Sequence, residues 1–158
     1  MTFIIKPTFS CNLRCKYCYL SNETKRQSRL FDLEFAKCII DQIKLSLQVK
    51  PRKRITIIWH GGEPMLWGRD NYRAIFAYMQ QELAGYEVQN SMQTNLSLVN
   101  DEWTDLFLQY NVRVGFSLDG TADIHNQQRV GVHGEPTFER IITNIADAGS
   151  AECGSGAL

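Results

Sequence analysis

The sequence predicts an α/β protein, built as part of a parallel (β/α) barrel with about four β/α units. Short apolar runs of strand length alternate four times with amphipathic stretches of helical period along the 158 residues. Such alternation favours right-handed crossovers and parallel strands. In addition, an unusual motif follows each of the four predicted strands. Parallel β/α barrels place their active sites at these carboxyl ends of the strands.

The first unit begins with a predicted strand over residues 3–9, where Phe3, Ile4 and Ile5 favour β-structure. A cysteine-containing loop follows, and then a polar, basic connection over residues 20–31. Asp32 is a predicted N-cap of the next helix, which Pro51 closes. The apolar positions at helical spacing in this helix are Leu33, Ala36, Ile39, Ile40, Ile43 and Leu47.

The second unit begins with a nearly continuous apolar run from Ile55 to Trp59, which is typical of a strand buried on both faces. The run ends at His60-Gly61-Gly62-Glu63-Pro64. Asp70 is the predicted cap of the second helix, and Gly85 is its predicted end. The apolar face of this helix carries Tyr72, Ile75, Phe76, Met79 and Leu83.

The third predicted strand covers residues 86–94 and leads to a helix capped by Asn100. Val112, Val114 and Phe116 alternate in a fourth strand, and a polar loop of about sixteen residues follows it. Gly149 is the predicted end of the last helix. The inward positions of these two helices are Trp103, Leu106, Phe107 and Tyr110, then Phe138, Ile141, Ile142, Ile145 and Ala148.

Composition narrows the function classes. The chain is 44% hydrophobic, has no net charge, and contains no apolar run of about 18 residues, so we expect no membrane span. It has no signal-peptide pattern, and its five cysteines therefore predict a cytoplasmic protein with reduced thiols.

A basic cluster, interpreted as a solvated turn, is formed by Lys50, Arg52, Lys53 and Arg54. Because no aromatic residues are interleaved with them, we expect no nucleic-acid binding.

Cys11, Cys15 and Cys18 are separated by three and then two residues, so that one short loop presents three thiols. Thiolates are soft ligands that suit zinc and iron–sulfur clusters. A structural zinc site needs four ligands, and the nearest histidine, His60, lies beyond a predicted helix and strand. Three thiolates on a cubane cluster leave one iron open to a substrate or cofactor. Cys38 falls within the first long helix and is not predicted to be a ligand.

This cysteine spacing, with the aromatic Tyr17 directly before the last cysteine, resembles the radical S-adenosylmethionine (SAM) enzymes. The resemblance implies a 4Fe–4S cluster on Cys11, Cys15 and Cys18, and SAM bound to the fourth iron. It also implies cleavage of SAM to a 5′-deoxyadenosyl radical, chemistry that the cofactor supplies and the protein positions. The alternative interpretation is a group of structural or chance thiols.

The Gly61-Gly62-Glu63-Pro64 segment allows backbone to approach a ligand closely, and its free carbonyls and carboxylate suit an ammonium group. In the radical SAM family the corresponding segment contacts the SAM amino group, which the resemblance implies for Gly61, Gly62 and Glu63. Without the cysteine loop, the segment would favour the alternative interpretation, a tight turn with a proline stop.

The later motifs resemble the anaerobic sulfatase-maturase branch, a SPASM-type group that modifies residues in peptides and proteins. Its SAM-contacting positions match Tyr17, Gly62, Ser117 and Arg129, and Asp119 belongs to the same fourth-strand motif. Gln93-Thr94-Asn95 fits its third-strand motif, so Thr94 and Asn95 are included among the cofactor-binding candidates. Arg129 has a surface role as its alternative, and His125 is interpreted as a residue that orders the loop.

The resemblance therefore predicts a radical SAM enzyme with a peptide or protein substrate and an electron donor such as flavodoxin or ferredoxin. Residues 1–158 correspond to the N-terminal portion of a radical SAM core, without a C-terminal auxiliary-cluster domain. Only Cys153 comes late, and residues 151–158 fall where a fifth strand is expected. Two alternatives stay open: a radical SAM enzyme acting on a small molecule, and a non-catalytic cluster-binding module or inactive fragment. No residue is assigned as a catalytic acid or base.

Overall fold

The computed structural model describes residues 1–152, without the side chains of Gln27 and of residues 147–152. A four-stranded, wholly parallel sheet with the strand order β1-β2-β3-β4 forms its centre. The fold class predicted from the sequence is therefore confirmed as a partial parallel β/α barrel. The strands are β1 (Thr2–Thr8), β2 (Arg54–Gly61), β3 (Glu87–Thr94) and β4 (Val112–Phe116).

Helices connect the strands and follow the last one. They are α1 (Asn22–Gln27), α2 (Leu33–Val49), α3 (Arg69–Glu82), α4 (Asp101–Gln109), α5 (Ala122–Gln128) and α6 (Phe138–Glu152), with a short 3-10 helix at Pro64–Trp67. Two predicted caps are confirmed, because Asp32 accepts the Phe35 N–H and Asn100 accepts the Trp103 N–H. No helix among residues 1–152 is long and apolar enough to cross a membrane.

Two predicted helix ends are wrong. Helix α3 begins at Arg69, after Gly68 has turned the chain at a φ of +93°, so Asp70 lies in the first turn and does not cap it. Its carboxylate still favours that end, where the helix dipole is positive. Gly149 does not end α6, which continues to Glu152. A glycine inside a helix costs only about 1 kcal/mol relative to alanine, and helix packing can offset that cost.

Two segments predicted as irregular contain helices. The polar connection over residues 20–31 includes α1, which Ser21 caps by accepting the Thr24 N–H. The polar loop after β4 includes α5. Both helices are too short and polar to show a periodic apolar face. Where a fifth strand would begin, in a segment that is too short and Gly-rich to complete one, Ala151 and Glu152 continue α6, and residues 153–158 lie outside the described part of the chain.

One face of the sheet packs against helices. Ile55, Ile57 and Trp59 of β2 are fully buried, whereas the intervening Thr56 and Ile58 are half-buried. Beneath β2 the aromatic rings form a compact group: Trp59 stacks on Trp67 at 5.9 Å and meets Tyr72 and Phe76 edge-on. This apolar layer fixes the strands, and their carboxyl ends meet at one edge of the sheet.

Candidate functional site at the carboxyl ends of the strands

The cysteine loop lies at this edge, directly after β1. Its three cysteines are half-buried free thiols. The Arg14 N–H donates to the Val130 carbonyl at 2.7 Å and the Lys16 N–H donates to the Gln128 carbonyl at 2.9 Å, so the segment after α5 holds the loop from outside. Sequence patterns did not predict this pairing, because it joins residues more than a hundred positions apart.

Gly61 and Gly62 contact the same loop from the β2 side. The Gly62 N–H donates to the Thr8 carbonyl at 3.0 Å, and the Glu63 N–H donates to the Ser10 carbonyl at 2.8 Å. A Cβ atom on Gly62 would overlap the carbonyl oxygens of Phe9 and Ser10, and one on Gly61 would overlap that of Thr8. The absence of side chains here makes room for the backbone of the cysteine loop, and contact of these glycines with a ligand stays a prediction.

The Glu63 side chain forms hydrogen bonds within the protein. It is fully buried, and its carboxylate accepts hydrogen bonds from the Met65 N–H at 3.0 Å, the Thr94 hydroxyl at 2.8 Å and the Asn95 N–H at 2.8 Å. Burial raises its pKa to about 7, although these three donors act in the opposite direction. The carboxylate therefore ties β2 to the end of β3 and holds the Thr94 hydroxyl, and contact of Glu63 with the SAM amino group stays a prediction.

Asn95 reaches the cysteine loop from β3. Its side-chain amide lies 3.8 Å from the Cys11 sulfur and donates to the side-chain Oδ1 of Asn12 at 3.0 Å. The Asn12 amide in turn donates to the Ser97 hydroxyl at 2.7 Å. Asn12 and Ser97 were missed by sequence reasoning, since isolated polar residues beside a motif carry no pattern of their own.

Tyr17, Asp119 and Arg129 meet on the β4 side, as the sequence predicted from their motifs. The Tyr17 hydroxyl donates to one Asp119 oxygen at 2.5 Å, and the Arg129 Nε donates to the other at 3.0 Å. The Arg129 guanidinium also lies 5.3 Å from the centre of the Tyr17 ring. Arg129 Nη1 is 4.0 Å from the Cys15 sulfur. The Arg129 side chain is therefore largely buried between Asp119 and the cysteine loop, and its role in binding a cofactor stays a prediction.

These contacts determine the protonation states of Asp119 and Tyr17. Burial raises the pKa of Asp119, but the Tyr17 hydroxyl and the Arg129 guanidinium lower it more, and the net pKa is below the ordinary value. Burial and the hydrogen bond to Asp119 raise the pKa of Tyr17 to about 12. Tyr17 thus stays protonated as a donor while Asp119 stays ionised.

His125 orders this region, as predicted. It is fully buried, accepts the Asp119 N–H at its Nδ1, and contacts the Thr137 hydroxyl at 3.0 Å through Nε2. The Thr137 hydroxyl donates to the Arg129 carbonyl at 2.7 Å, so its oxygen is left to accept from the Nε2–H of a neutral ring. Burial, and then the Arg129 charge, lower the pKa of His125 in agreement with this assignment.

Ser117 lies just after β4 and is half-buried. Its hydroxyl oxygen accepts from the Gln93 amide at 3.2 Å, which leaves its own hydrogen available for another acceptor. Ser117 and the motif that contains Gln93 were predicted to lie at neighbouring strand ends. In the structure the two side chains are in direct contact.

The donor set suits an iron–sulfur cluster. Burial raises the pKa of Cys11 and of Cys15, while the Leu13 N–H acts against this at Cys11 and the Arg129 charge acts against it at Cys15. No group of three His, Cys, Asp or Glu side chains in the described residues is arranged around a single ion. In a cubane cluster each thiolate binds a different iron atom. The cysteine sulfurs therefore stand further apart than the ligands of a single ion.

Comparison with known proteins agrees with this geometry. The sequence profile of the radical SAM superfamily matches residues 5–156. The cysteine-type anaerobic sulfatase-maturating enzyme of Clostridium novyi (strain NT) is 33% identical over 148 residues, which are 92% of this chain and 39% of that enzyme. The serine-type anaerobic sulfatase-maturating enzyme of Bacteroides thetaiotaomicron is 29% identical over 147 residues, 90% of this chain and 35% of that enzyme. This chain thus spans well under half the length of these relatives.

A solved structure of native anSMEcpe with bound AdoMet and Cp18Cys peptide has the same fold, with a TM-score of 0.84 at 23% identity over 96% of this chain and 40% of that one. The predicted cofactors are confirmed for the family that the profile identifies. On the profile match and the three clustered cysteines, the chain belongs to the radical SAM superfamily, whose members use a 4Fe–4S cluster and S-adenosylmethionine.

Proposed function

We propose that the protein is a radical SAM enzyme that modifies a side chain in a peptide or protein. One observation carries this proposal: Tyr17, Asp119 and Arg129 join the cysteine loop to the end of β4 by direct contacts. The cysteines and the fourth-strand motif, which are far apart in sequence, therefore form one site. The peptide substrate is supported by the similarity to two sulfatase-maturating enzymes and by a shared fold with a peptide-bound structure.

In this proposal Cys11, Cys15 and Cys18 bind the cluster, which supplies the reductive cleavage of SAM. Arg129 and Ser117 are the candidates to hold the SAM carboxylate. The Arg129 Nε is already used by Asp119, so that its terminal nitrogens remain to bind a second carboxylate. The Ser117 hydroxyl has a free hydrogen to donate. Gly62 contributes only by letting the cysteine loop approach β2 closely.

The sheet face that is not packed on helices supports a peptide substrate. On this face Ile58 pairs with Ser91, Ser91 with Arg113, and Gln93 with Gly115. Apart from Ile58 and its β1 partner Ile4, it offers hydroxyl, amide and guanidinium groups, which suit the carbonyls of an extended chain. The proposal includes a cytoplasmic location and an electron donor such as flavodoxin or ferredoxin.

The test is anaerobic reconstitution with iron and sulfide, followed by assay of 5′-deoxyadenosine with a reductant and a sulfatase-derived peptide. We expect a brown cluster chromophore and SAM-dependent product in the wild-type protein. Single changes of Cys11, Cys15 or Cys18 to Ala should abolish the chromophore. Cys38→Ala is the matched control, because Cys38 is an exposed thiol on α2.

Retention of the full chromophore in any of the three loop variants would contradict the proposed ligand set. Formation of 5′-deoxyadenosine with the peptide left unmodified, and with a small molecule consumed instead, would exclude the peptide substrate while keeping the radical SAM assignment.

A further inference from the structure

Two side chains lie beside the cysteine loop on the open face of the sheet, the face that is not packed on helices. They are Lys6 and His60, which directly follow Ile5 and Trp59, a pair across β1 and β2 that is buried against the helices. Successive residues of a strand point to opposite faces, so Lys6 and His60 lie on the open face. An added Cβ on Gly61 would lie 3.6 Å from the Lys6 Cβ, which places the two side chains at neighbouring strand ends.

The backbone determines which nitrogen of His60 donates. Its Nδ1 accepts the Gly61 N–H at 2.6 Å, so the hydrogen of a neutral ring is on Nε2. Burial, and then the charge of Lys6, lower the pKa of His60, in agreement with a neutral ring at neutral pH. Among the described residues Nε2 has no hydrogen-bond partner. The ring therefore presents one free donor to the open face.

The Lys6 ammonium is positioned by two aromatic rings that flank the cysteines. It lies 5.8 Å from the centre of the Phe9 ring and 5.6 Å from the centre of the Tyr19 ring. The rings attract the charge without supplying an oxygen acceptor, and Lys6 forms no ion pair with a carboxylate in the described part of the chain. The ammonium therefore keeps donors for an acceptor that comes from outside.

The carboxylates that the strands and their ends contribute are already used. Glu63 is buried with its three donors, and Asp119 pairs with Arg129. At the amino end of the open face, Glu87 pairs with two cations at the start of β2. Arg113 adds an exposed cation to this face from β4 and is absent from the ion pairs of the described residues. The described part of the open face thus carries positive charge that a bound anion would balance.

We propose that Lys6 and His60 bind a carboxylate of the peptide substrate, so that the enzyme selects peptides with an aspartate or glutamate close to the residue it modifies. The inference rests on the peptide substrate proposed above. An ammonium and an imidazole N–H can each donate to one carboxylate oxygen, and charge-assisted hydrogen bonds are about twice as strong as neutral ones. The carboxylate of SAM is assigned to Arg129 and Ser117 on the β4 side, so the two anions have separate sites.

The test uses a sulfatase-derived peptide in matched pairs, with Glu or Gln placed in turn at each position beside the modified residue. Binding of each labelled peptide to the reconstituted, SAM-loaded protein is measured anaerobically by fluorescence anisotropy, without reductant so that no turnover occurs. At one position we expect Glu to bind roughly tenfold more tightly than Gln, because only Glu supplies an anion to the ammonium. Lys6→Met should remove most of this preference, and Lys6→Arg should retain it.

Two further changes test the contribution of the imidazole and the specificity of the effect. His60→Phe removes the donor and should lower the preference roughly threefold, whereas His60→Gln keeps an N–H and should retain most of it. Lys50→Met is the matched control, because Lys50 is exposed at the C-cap of α2 and should not affect the preference. Added salt should weaken binding of the Glu peptide more than that of the Gln peptide.

The ratio of the two affinities separates recognition from a structural role, since a loosened cysteine loop would weaken both peptides of a pair equally. Equal affinities of the Glu and Gln peptides at every position in the wild type would overturn the inference, as would an unchanged ratio in Lys6→Met. A wild-type protein that binds its cluster and SAM but neither kind of peptide would contradict the proposed peptide substrate, and the inference with it.

Discussion

The two sides of the cysteine loop are held by opposite kinds of contact. On the β2 side, Gly61 and Gly62 bring backbone against backbone, and the buried Glu63 closes the junction with three donors. On the β4 side, Tyr17, Asp119 and Arg129 hold the loop through side-chain charge at a partly exposed surface. We refer to these as the glycine side and the ionic side.

The comparison shows that the glycine side fixes the position of the cysteine loop, whereas the ionic side surrounds it with charged groups. Close backbone packing cannot yield without moving the strand, so the glycine side sets where the thiols lie. The ionic side contributes less to stability because solvent screens its charges. Its Arg129 also retains donors for a ligand, which a fully packed contact would not. Substitutions on the two sides should therefore differ in size and in their dependence on pH and salt.

The largest effect is expected from Gly62→Ala. The added Cβ overlaps two backbone carbonyl oxygens of the cysteine loop, and neither can move away as a flexible side chain would. We expect the free energy of unfolding to fall by roughly 4 kcal/mol, at the upper end of overpacking effects. Urea denaturation of the cluster-free protein measures it.

Gly85→Ala is the control for this prediction. Gly85 has a φ of +95° but no heavy atom within 4 Å of an added Cβ, so the variant carries backbone strain without overlap. Its cost should be about 1–2 kcal/mol. Equal costs for the two variants would mean that the glycine side is not held by close packing.

Glu63→Gln should make the free energy of unfolding less dependent on pH, because it removes the titrating carboxyl group of the glycine side. The folded pKa is about 7, above the ordinary value of 4.5, so the native protein keeps a proton that the unfolded chain releases between these values. The wild-type unfolding free energy should therefore fall by roughly 3 kcal/mol as pH rises from 4.5 to 7. The difference between wild type and variant isolates this residue, and parallel pH profiles would show that Glu63 does not titrate in this way.

Asp119→Asn should weaken the ionic side by about 1 kcal/mol, since the ion pair with Arg129 is only partly buried. The pKa of Asp119 is lowered, so its contribution is present at neutral pH and is lost as pH falls through the folded pKa, below 3.8. We expect added salt to narrow the gap between wild type and variant. A gap that is unaffected by salt would indicate that the pair acts through packing.

Tyr17→Phe should have the smallest effect, about 0.5 kcal/mol, because Tyr17 is 54% exposed and its ring can remain over Arg129. A double-mutant cycle with Asp119→Asn measures the hydroxyl–carboxylate contact directly. We expect a coupling energy close to the loss in the single variant. A cycle with no coupling would show that the 2.5 Å hydrogen bond does not stabilise the ionic side.

The order of the four strands and of the longer helices, and the position of each motif at a strand end, could be predicted from local patterns in the chain. Apolar periodicity predicts where elements lie, because burial of one face repeats with the period of the element. The spacing of Cys11, Cys15 and Cys18 and the helical setting of Cys38 were likewise local features. Short polar helices such as α1 and α5 carry no such period, and they were not predicted.

The hydrogen-bond partners of the polar side chains at the site could not be predicted from local patterns, because they come from distant parts of the chain. The Glu63 carboxylate accepts the Asn95 N–H, 32 residues away, inside the protein. Gly61 and Gly62 admit the backbone of the cysteine loop. Lys25 is buried on a helix that the sequence did not reveal. A polar group binds whichever partner the fold brings nearest, and distant partners leave no local pattern in the chain.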